Sequence, residues 1–306
     1  MAGTALMVPL ALAAATLAVC TALEADVKVS VFAVLVALYL PSYVDDAEYT
    51  GARRWPAFAR FCRTYLKSYE MTLEYEEPVD PSKRYIFCSH PHGLLSAHHA
   101  VLMQGSSTPS FHELSPMDTR HHLGASVIFR IPIFREYLLW LGCVNADRRI
   151  AEKVLRSGKS LVILVGGIME QMLSQRGEHA VYVKKRKGHI RLALKYGTPI
   201  VPGYNFGETD LFTHSSFLLS LRRLIASKLS VALLVGYGSS RWNPLRAHEG
   251  VVLHEVFGKP IVVEKIEHPT PEDVDKVHAQ YVAELVRIFD KYKGKYGYPD
   301  AELRVV

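Results

Sequence analysis

The chain has 306 residues, 49% of them hydrophobic, with 36 Lys and Arg against 30 Asp and Glu. That length suits one large domain or two small ones, and the composition excludes a disordered tail or a collagen-like repeat. The formal charge of +6 is unevenly placed: residues 1–42 hold only Glu24, Asp26 and Lys28, and the rest has the charge density of an ordinary soluble domain. Nothing after Leu40 is apolar for the ~18 residues a membrane span needs, which excludes a multi-span transporter.

Ala5 to Leu23 is an uncharged apolar run of 19 residues, about the length of a spanning helix. Glu24-Ala25-Asp26-Val27-Lys28 interrupts it, Val29 to Leu40 is apolar again, and Pro41 follows. This pattern predicts a transmembrane helical hairpin over residues 1–44, with a tight polar turn, ahead of a second domain over residues 45–306. Two readings compete with it. A cleaved signal peptide lacks its basic start, since residues 2–23 contain no Lys or Arg. A hairpin buried in the core is the other. Arg53, Arg54, Arg60, Arg63 and Lys67 follow the second segment, so the positive-inside rule puts the main domain in the cytosol. Residues 53–69 alternate these cations with Trp55, Phe58, Phe61 and Tyr65, which fits a helix on the bilayer surface or one packed on its own domain. Cys20, Cys62, Cys88 and Cys143 show no paired spacing, as suits a reducing compartment.

Arg84 to Ser89 reads as a strand that ends at His90-Pro91-His92-Gly93, with a short helix from Leu94. Ser160 to Val165 is a continuous apolar run, a strand buried on both faces, and it ends at Gly166-Gly167. Lys187 to Tyr196 has a helical pattern and Gly197 as its stop. Thr198 to Tyr204 is a third strand, closing on Asn205-Phe206-Gly207-Glu208. Ser230–Val235 and Val252–Phe257 are further strand candidates, and residues 271–292 form a last amphipathic helix. Strands alternating with helices predict an α/β fold, a sheet flanked by helices. If the three strands are parallel, their terminal turns share one edge, where ligands bind in open α/β sheets. His90, His92, Glu170, Asn205 and Glu208 would then converge.

His92 with a carboxylate is the simplest acid/base pair on that edge, because imidazole titrates near neutrality. Glu170 or Glu208 would hold its tautomer. Gly93 would let a substrate approach the backbone, and its N–H would help bind an oxyanion. Seven histidines fall within 90–122: His90, His92, His98, His99, His112, His121 and His122. No zinc spacing accompanies them, so a metal is not expected and most read as loop residues. Lys184, Lys185, Arg186 and Lys187 form the densest basic cluster, suited to phosphates, to an anionic membrane surface or simply to a solvated helix start. No nucleic-acid-binding signature accompanies the patch. No GxSxG elbow, P-loop or GxGxxG is present, which disfavours a serine lipase or a nucleotide fold.

Six stretches, taken together, resemble the type 2 diacylglycerol acyltransferase family, which includes monoacylglycerol and wax-alcohol acyltransferases. They are Tyr85–Gly93, Phe134–Tyr137, Val165–Glu170, Arg186–Leu194, Val201–Gly207 and Gly258–Pro260. The resemblance runs from about residue 50 to the C-terminus and includes the N-terminal apolar region. It implies an acyltransferase-like fold and acyl-CoA-dependent O-acyl transfer, chiefly to diacylglycerol to give triacylglycerol. A monoacylglycerol or fatty-alcohol acceptor is the alternative, and an inactive lipid-binding relative the non-enzyme one. The implied location is the endoplasmic reticulum membrane and lipid droplets, with the catalytic domain facing the cytosol.

The implied partners are acyl-CoA, the acceptor lipid and the bilayer, with self-association left open. No cofactor is needed beyond the acyl-CoA co-substrate. His92 falls on the family's catalytic histidine, with His90 in a supporting role, and Glu170 on its glycine-glycine-x-x-glutamate element. Backbone N–H groups of Gly93, Gly166 or Gly167 would hold the oxyanion. Arg135, Lys184 to Lys187, Asn205 and Glu208 would contact substrate. A rival route makes Cys88 an acyl carrier. The chain departs from the family at Tyr69-Glu70-Met71 and over Gly236–Gly250, which bears on acceptor choice.

Overall fold

The structure is a computed structural model that describes residues 25–65, 69–229, 231–240 and 246–306. Its main elements are α1 (Ala25–Tyr39), α2 (Pro56–Tyr65), β1 (Met71–Tyr75), β2 (Ile86–His90), α3 (Ala97–Gln104), β3 (Arg120–Gly124), α4 (Phe134–Trp140), β4 (Cys143–Asn145), α5 (Arg148–Arg156), β5 (Ser160–Leu164), α6 (Gly167–Leu173), α7 (Gly188–Tyr196), β6 (Ile200–Phe206), β7 (Leu253–Phe257) and α8 (Pro271–Tyr292). The central sheet has seven strands in the order β1-β7-β6-β2-β5-β3-β4. From β6 to β4 every pairing is parallel, and β7 turns antiparallel against β6. The carboxyl ends of β2, β5 and β6 therefore share one edge, as their terminal turns required.

Alternation along β2 shows how the sheet is filled. Ile86 and Cys88 join the core under α5, α7 and α8, with Leu155, Ile190, Tyr281 and Phe289. Phe87 points the other way, into a cluster with Val101, Leu102 and Phe111. Both faces are covered, which is why β2 and β5 read as continuous apolar runs. A capping box between Thr270 and Asp273, followed by Pro271, fixes the start of α8. Gly197 stops α7 at φ +58°.

Two expectations are corrected. First, α1 already runs through Asp26 and Lys28, so the polar turn expected there is helical and the described chain has one apolar helix, not a hairpin. Residues 24–28 contain no Gly or Pro to break it, and isolated charges cost a helix little. The expected first arm, Ala5 to Leu23, and Cys20 lie outside the described residues. The stretch Val27–Thr50 is long and apolar enough to cross a membrane by length and composition, and almost none of it is buried. Second, residues 231–235 form no strand. Leu233, Leu234 and Val235 stay exposed, and the antiparallel pairing beside them begins only at Gly236–Tyr237, against Thr213–His214. The surface helix α2 does pack on its domain, through Ala59 and Cys62, while Phe61 and Tyr65 face outward. Of the basic residues that follow α1, Lys67 lies outside the described residues.

Of the seven histidines from 90 to 122, only His92 lies in a loop; the other six stand in strands or helices. His90, His98, His99, His121 and His122 are buried. His99 and His122 meet through ring nitrogens 2.7 Å apart, and Arg120 Nε donates to His122 at 3.1 Å. Burial, helped by nearby cationic groups, pushes His99 and His121 down to about 3, and His112 down to about 4. Unfolded, each takes a proton near pH ~6.5. The unfolded chain thus binds more protons below that pH, and the stability these groups allow is full above it and lost as pH falls toward their folded values. His98 opposes the trend: burial lowers it, but the Glu208 charge prevails and raises it. Glu255, raised by burial, opposes it too. The histidines outnumber them, so the urea midpoint of the full chain in detergent should fall steadily from pH 7 toward pH 5. A flat midpoint across that range would contradict the buried-neutral assignment.

Candidate active site

Three buried carboxylates organise the edge formed by β2, β5 and β6: Glu170 and Glu208 follow the ends of β5 and β6, and Glu255 comes from the middle of β7. Glu170 stands in the first turn of α6, just past β5, and is 1% exposed. It accepts from His90 Nδ1 at 2.9 Å, from the His92 backbone N–H at 2.7 Å and from the Tyr182 backbone N–H at 2.6 Å. Because His90 Nδ1 donates to Glu170, its Nε2 is free to accept, and the Tyr281 hydroxyl of α8 lies 3.0 Å from it. Glu170 therefore holds the His90 ring and the His92 backbone. It does not touch the His92 imidazole, contrary to the triad-like pairing expected from the sequence.

Glu208 does not touch it either. Its carboxylate accepts from the backbone N–H groups of Ala97 and His98 at 3.0 and 2.9 Å, and from His98 Nδ1 at 3.0 Å. It thus caps α3 from outside the helix. This frees Ser96, the N-cap residue, which makes no capping bond of its own and sits at φ +57°. A serine there costs ~1–2 kcal/mol relative to ordinary backbone. The freed Ser96 Oγ lies 2.9 Å from His92 Nδ1, and the Gly93 carbonyl is 3.3 Å from the same nitrogen. A carbonyl only accepts, so Nδ1 carries the proton and Nε2 keeps the lone pair. His92 is half-buried. Burial lowers its affinity for a proton, opposed by the charges of Glu170 and Glu208.

The glycines here are set by the carboxylates. A Cβ on Gly93, which sits at φ +63°, would stand 2.3 Å from Glu208 Oε1. One on Gly166 would stand 2.2 Å from Glu170 Oε2. The space beside Gly93 is thus filled by Glu208 and not by a substrate, as the sequence had suggested. Gly167 opens α6 at φ +55°.

The third carboxylate, Glu255 of β7, escaped the sequence reading. It is fully buried and accepts from Ser89 Oγ at 2.6 Å and Asn205 Nδ2 at 2.9 Å. Asn205 therefore lies beneath the edge, bound to protein. A lone charge inside the apolar run Val252–Phe257 was the available signal, since a buried charge needs partners. Tyr281 carried no such signal, because its position belongs to the packed face of α8.

The basic cluster starts two residues beyond Tyr182. Lys184 and Lys185 are exposed, while Lys187 pairs with Asp275 of α8. The Arg186 guanidinium lies over the Tyr182 ring at 5.3 Å, and its Nη2 is 3.8 Å from where a Cβ on Gly167 would stand. Its Nε is buried without a partner. From Ile168, next to Gly167, a cleft of about 660 Å³ runs along the ends of β3 and β4 past Val127, Ala146, Arg149 and Ile150.

Two sequence assignments do not reach this edge. Arg135 is 1% exposed and holds the chain after α1: it donates to the Ser42 carbonyl at 2.7 Å and pairs with Glu48 and Asp45. Its place in the Phe134–Tyr137 stretch reflects this anchoring, not substrate contact. Arg135→Ala should cost roughly 3–5 kcal/mol of stability by leaving buried partners unpaired, with the acyl-CoA KM of the folded fraction unchanged. A raised KM at wild-type stability would contradict the placement. Cys88 is 0% exposed in mid-strand, and burial pushes its thiol well up, so an acyl-carrier role has no access and no thiolate.

A family model described as diacylglycerol acyltransferase matches residues 27–306. Diacylglycerol O-acyltransferase 1 of Eremothecium gossypii is 34% identical over 284 residues, which are 87% of this chain but only 60% of that relative's length. Diacylglycerol O-acyltransferase 2 of Xenopus tropicalis is 31% identical over 93% of this chain and 82% of its own. Acyl-CoA wax alcohol acyltransferase 2 of Mus musculus is 30% identical over 84% and 79%. Among solved structures, the 1-acyl-sn-glycerophosphate acyltransferase PlsC of Thermotoga maritima aligns at a TM-score of 0.47 and 15% identity, over 86% of this chain and 93% of that one.

Proposed function

The chain belongs to the diacylglycerol acyltransferase family, and from that premise we propose that it transfers an acyl group from acyl-CoA to the hydroxyl of diacylglycerol, yielding triacylglycerol and free CoA. The observation that carries the chemistry is the His92 ring, whose Nδ1 is held by Ser96 Oγ and the Gly93 carbonyl. That leaves Nε2 as the base. It removes the hydroxyl proton as the acceptor oxygen attacks the thioester carbonyl. The tetrahedral oxyanion is met by backbone N–H groups of Gly93 or Gly166-Gly167. When the carbon–sulfur bond breaks, the thiolate leaves readily, with an ordinary thiol pKa of ~8.5, and takes the proton back from His92.

His90 and Glu170 position this base through the His92 backbone. Lys184, Lys185 and Arg186 receive the CoA phosphates, the unpartnered Nε of Arg186 being the group most in need of an acceptor. The cleft reached from Ile168 takes the acyl chain along Ala125, Val127, Ala146, Ile150 and Ile168, which make up half of its wall. No cofactor is required besides the co-substrate. Residues 1–44 anchor the enzyme and residues 45–306 carry the chemistry, on the cytosolic side of the endoplasmic reticulum membrane with access to lipid droplets.

The test is expression in cells unable to make storage lipid, with membranes then offered diacylglycerol, monoacylglycerol or fatty alcohol in parallel. Triacylglycerol from diacylglycerol is the expected product. Wax ester or diacylglycerol as the dominant product would reassign the acceptor, which the wax-alcohol relative makes the specific alternative.

A further inference from the structure

The segment Arg130-Ile131-Pro132-Ile133-Phe134 leads into α4 and is exposed along its whole length. Ile133 is 80% exposed, Ile131 48% and Phe134 43%. Ile133 also sits at φ +68°, where a β-branched residue is a true outlier. Backbone strain here keeps an apolar side chain out of the fold. Such strain persists only where the surroundings impose it, and the surroundings are the end of the apolar helix. The Ile133 N–H donates to Tyr39 Oη at 3.0 Å, and Tyr43 Oη donates to the Arg130 carbonyl at 3.1 Å. Tyrosines suit the level where a membrane meets water.

The patch continues past the loop. Phe134 stacks on Tyr137 at 6.0 Å, Tyr137 meets Phe58 at 6.2 Å, Phe58 meets Phe61 at 6.4 Å, and Phe61 meets Tyr65 at 5.3 Å. This row of rings joins the loop to the outer face of α2, where Phe61 is 47% and Tyr65 73% exposed. Arg60 and Arg130 stand exposed around it and Arg63 is half-buried. None of the three joins an ion pair among the described residues.

We propose that residues 131–134 and the outer face of α2 form a second membrane contact, a wedge that enters the headgroup–acyl boundary beside α1. The occupant is a lipid surface with anionic headgroups. The patch is continuous with a helix that is itself almost unburied, and its rim offers three unpaired guanidinium groups to negative charge. The inference does not depend on which acceptor the enzyme uses.

The test places an environment-sensitive dye at Ile133→Cys, Tyr65→Cys or, on the opposite face, Lys276→Cys. The full chain carries Cys20→Ser, and Cys62, Cys88 and Cys143 are buried. Each protein is reconstituted in phosphatidylcholine–phosphatidylserine vesicles containing lipids with a nitroxide high on the acyl chain. Retained acyl transfer shows that each labelled chain is folded. The dyes at 133 and 65 should lose roughly half their emission to the nitroxides, as fits a depth of ~5–10 Å, and the dye at 276 should not. Removing phosphatidylserine should weaken the quenching. Absence of quenching at 133 and 65 overturns the proposal, whether the dyes report water or a dry protein cover such as a second copy.

Discussion

His92→Ala should abolish triacylglycerol formation at unchanged protein level, with a loss of roughly 10²–10⁴-fold in kcat, the usual contribution of a positioned general base. The fold should tolerate it. The imidazole is half-buried and bonds only Ser96 and Gly93, while the bond that matters to the scaffold runs from the His92 backbone, which alanine retains. Cys88→Ala should leave activity intact. Ser96→Ala removes one neutral hydrogen bond worth ~0.5–1.5 kcal/mol, so kcat should fall roughly two- to tenfold with KM for acyl-CoA unchanged. The pH profile gives a further check. A base works only when deprotonated, so the rate falls as pH drops through its pKa. Burial has moved that pKa of His92 down from the ordinary ~6.5. The acid limb of kcat/KM should therefore lie below pH ~6.5. Full activity in His92→Ala would sink the base assignment outright.

The position of the site was legible in the sequence; its wiring was not. Three strand ends with polar or glycine-rich turns, once parallel, had to share an edge, and β2, β5 and β6 do. Which carboxylate meets which histidine depends on the faces of those strands, and chain order hides it. His90 falls on the Ile86 and Cys88 face, toward Tyr281, whereas Ser89 falls on the Phe87 face, toward Glu255. Glu208 was available to His92 by sequence, but it satisfies the unpaired N–H groups of α3 instead. Arg135 was misplaced because a motif match cannot separate a binding residue from an anchoring one. The two departures from the family pattern, Tyr69-Glu70-Met71 and Gly236–Gly250, lie far apart in the chain. Yet Tyr69, Glu70, Arg246 and His248 line one cleft of about 510 Å³. That contact could not be read before folding.

Glu170→Ala should be the most damaging single change to the protein itself. It strips the acceptor from three buried or half-buried donors, His90 Nδ1 and the backbone N–H groups of His92 and Tyr182. An unsatisfied buried donor costs ~1–3 kcal/mol, so three approach the whole ~5–15 kcal/mol by which a native protein is stable. The expected result is little folded protein, read as lost yield and a lowered unfolding midpoint. Glu170→Gln separates stability from chemistry. It keeps the volume and one accepting oxygen but turns an NH₂ toward donors, so the His92 backbone must shift. A displacement of ~1 Å at a catalytic group can cost about a hundredfold in rate, so a fall in kcat of that order is expected at unchanged KM for acyl-CoA. The acid limb of the profile should move to lower pH, because the Glu170 charge that opposes burial at the His92 ring is gone. A shifted limb at undiminished kcat would show that the carboxylate only tunes the imidazole, and the positioning role would fail.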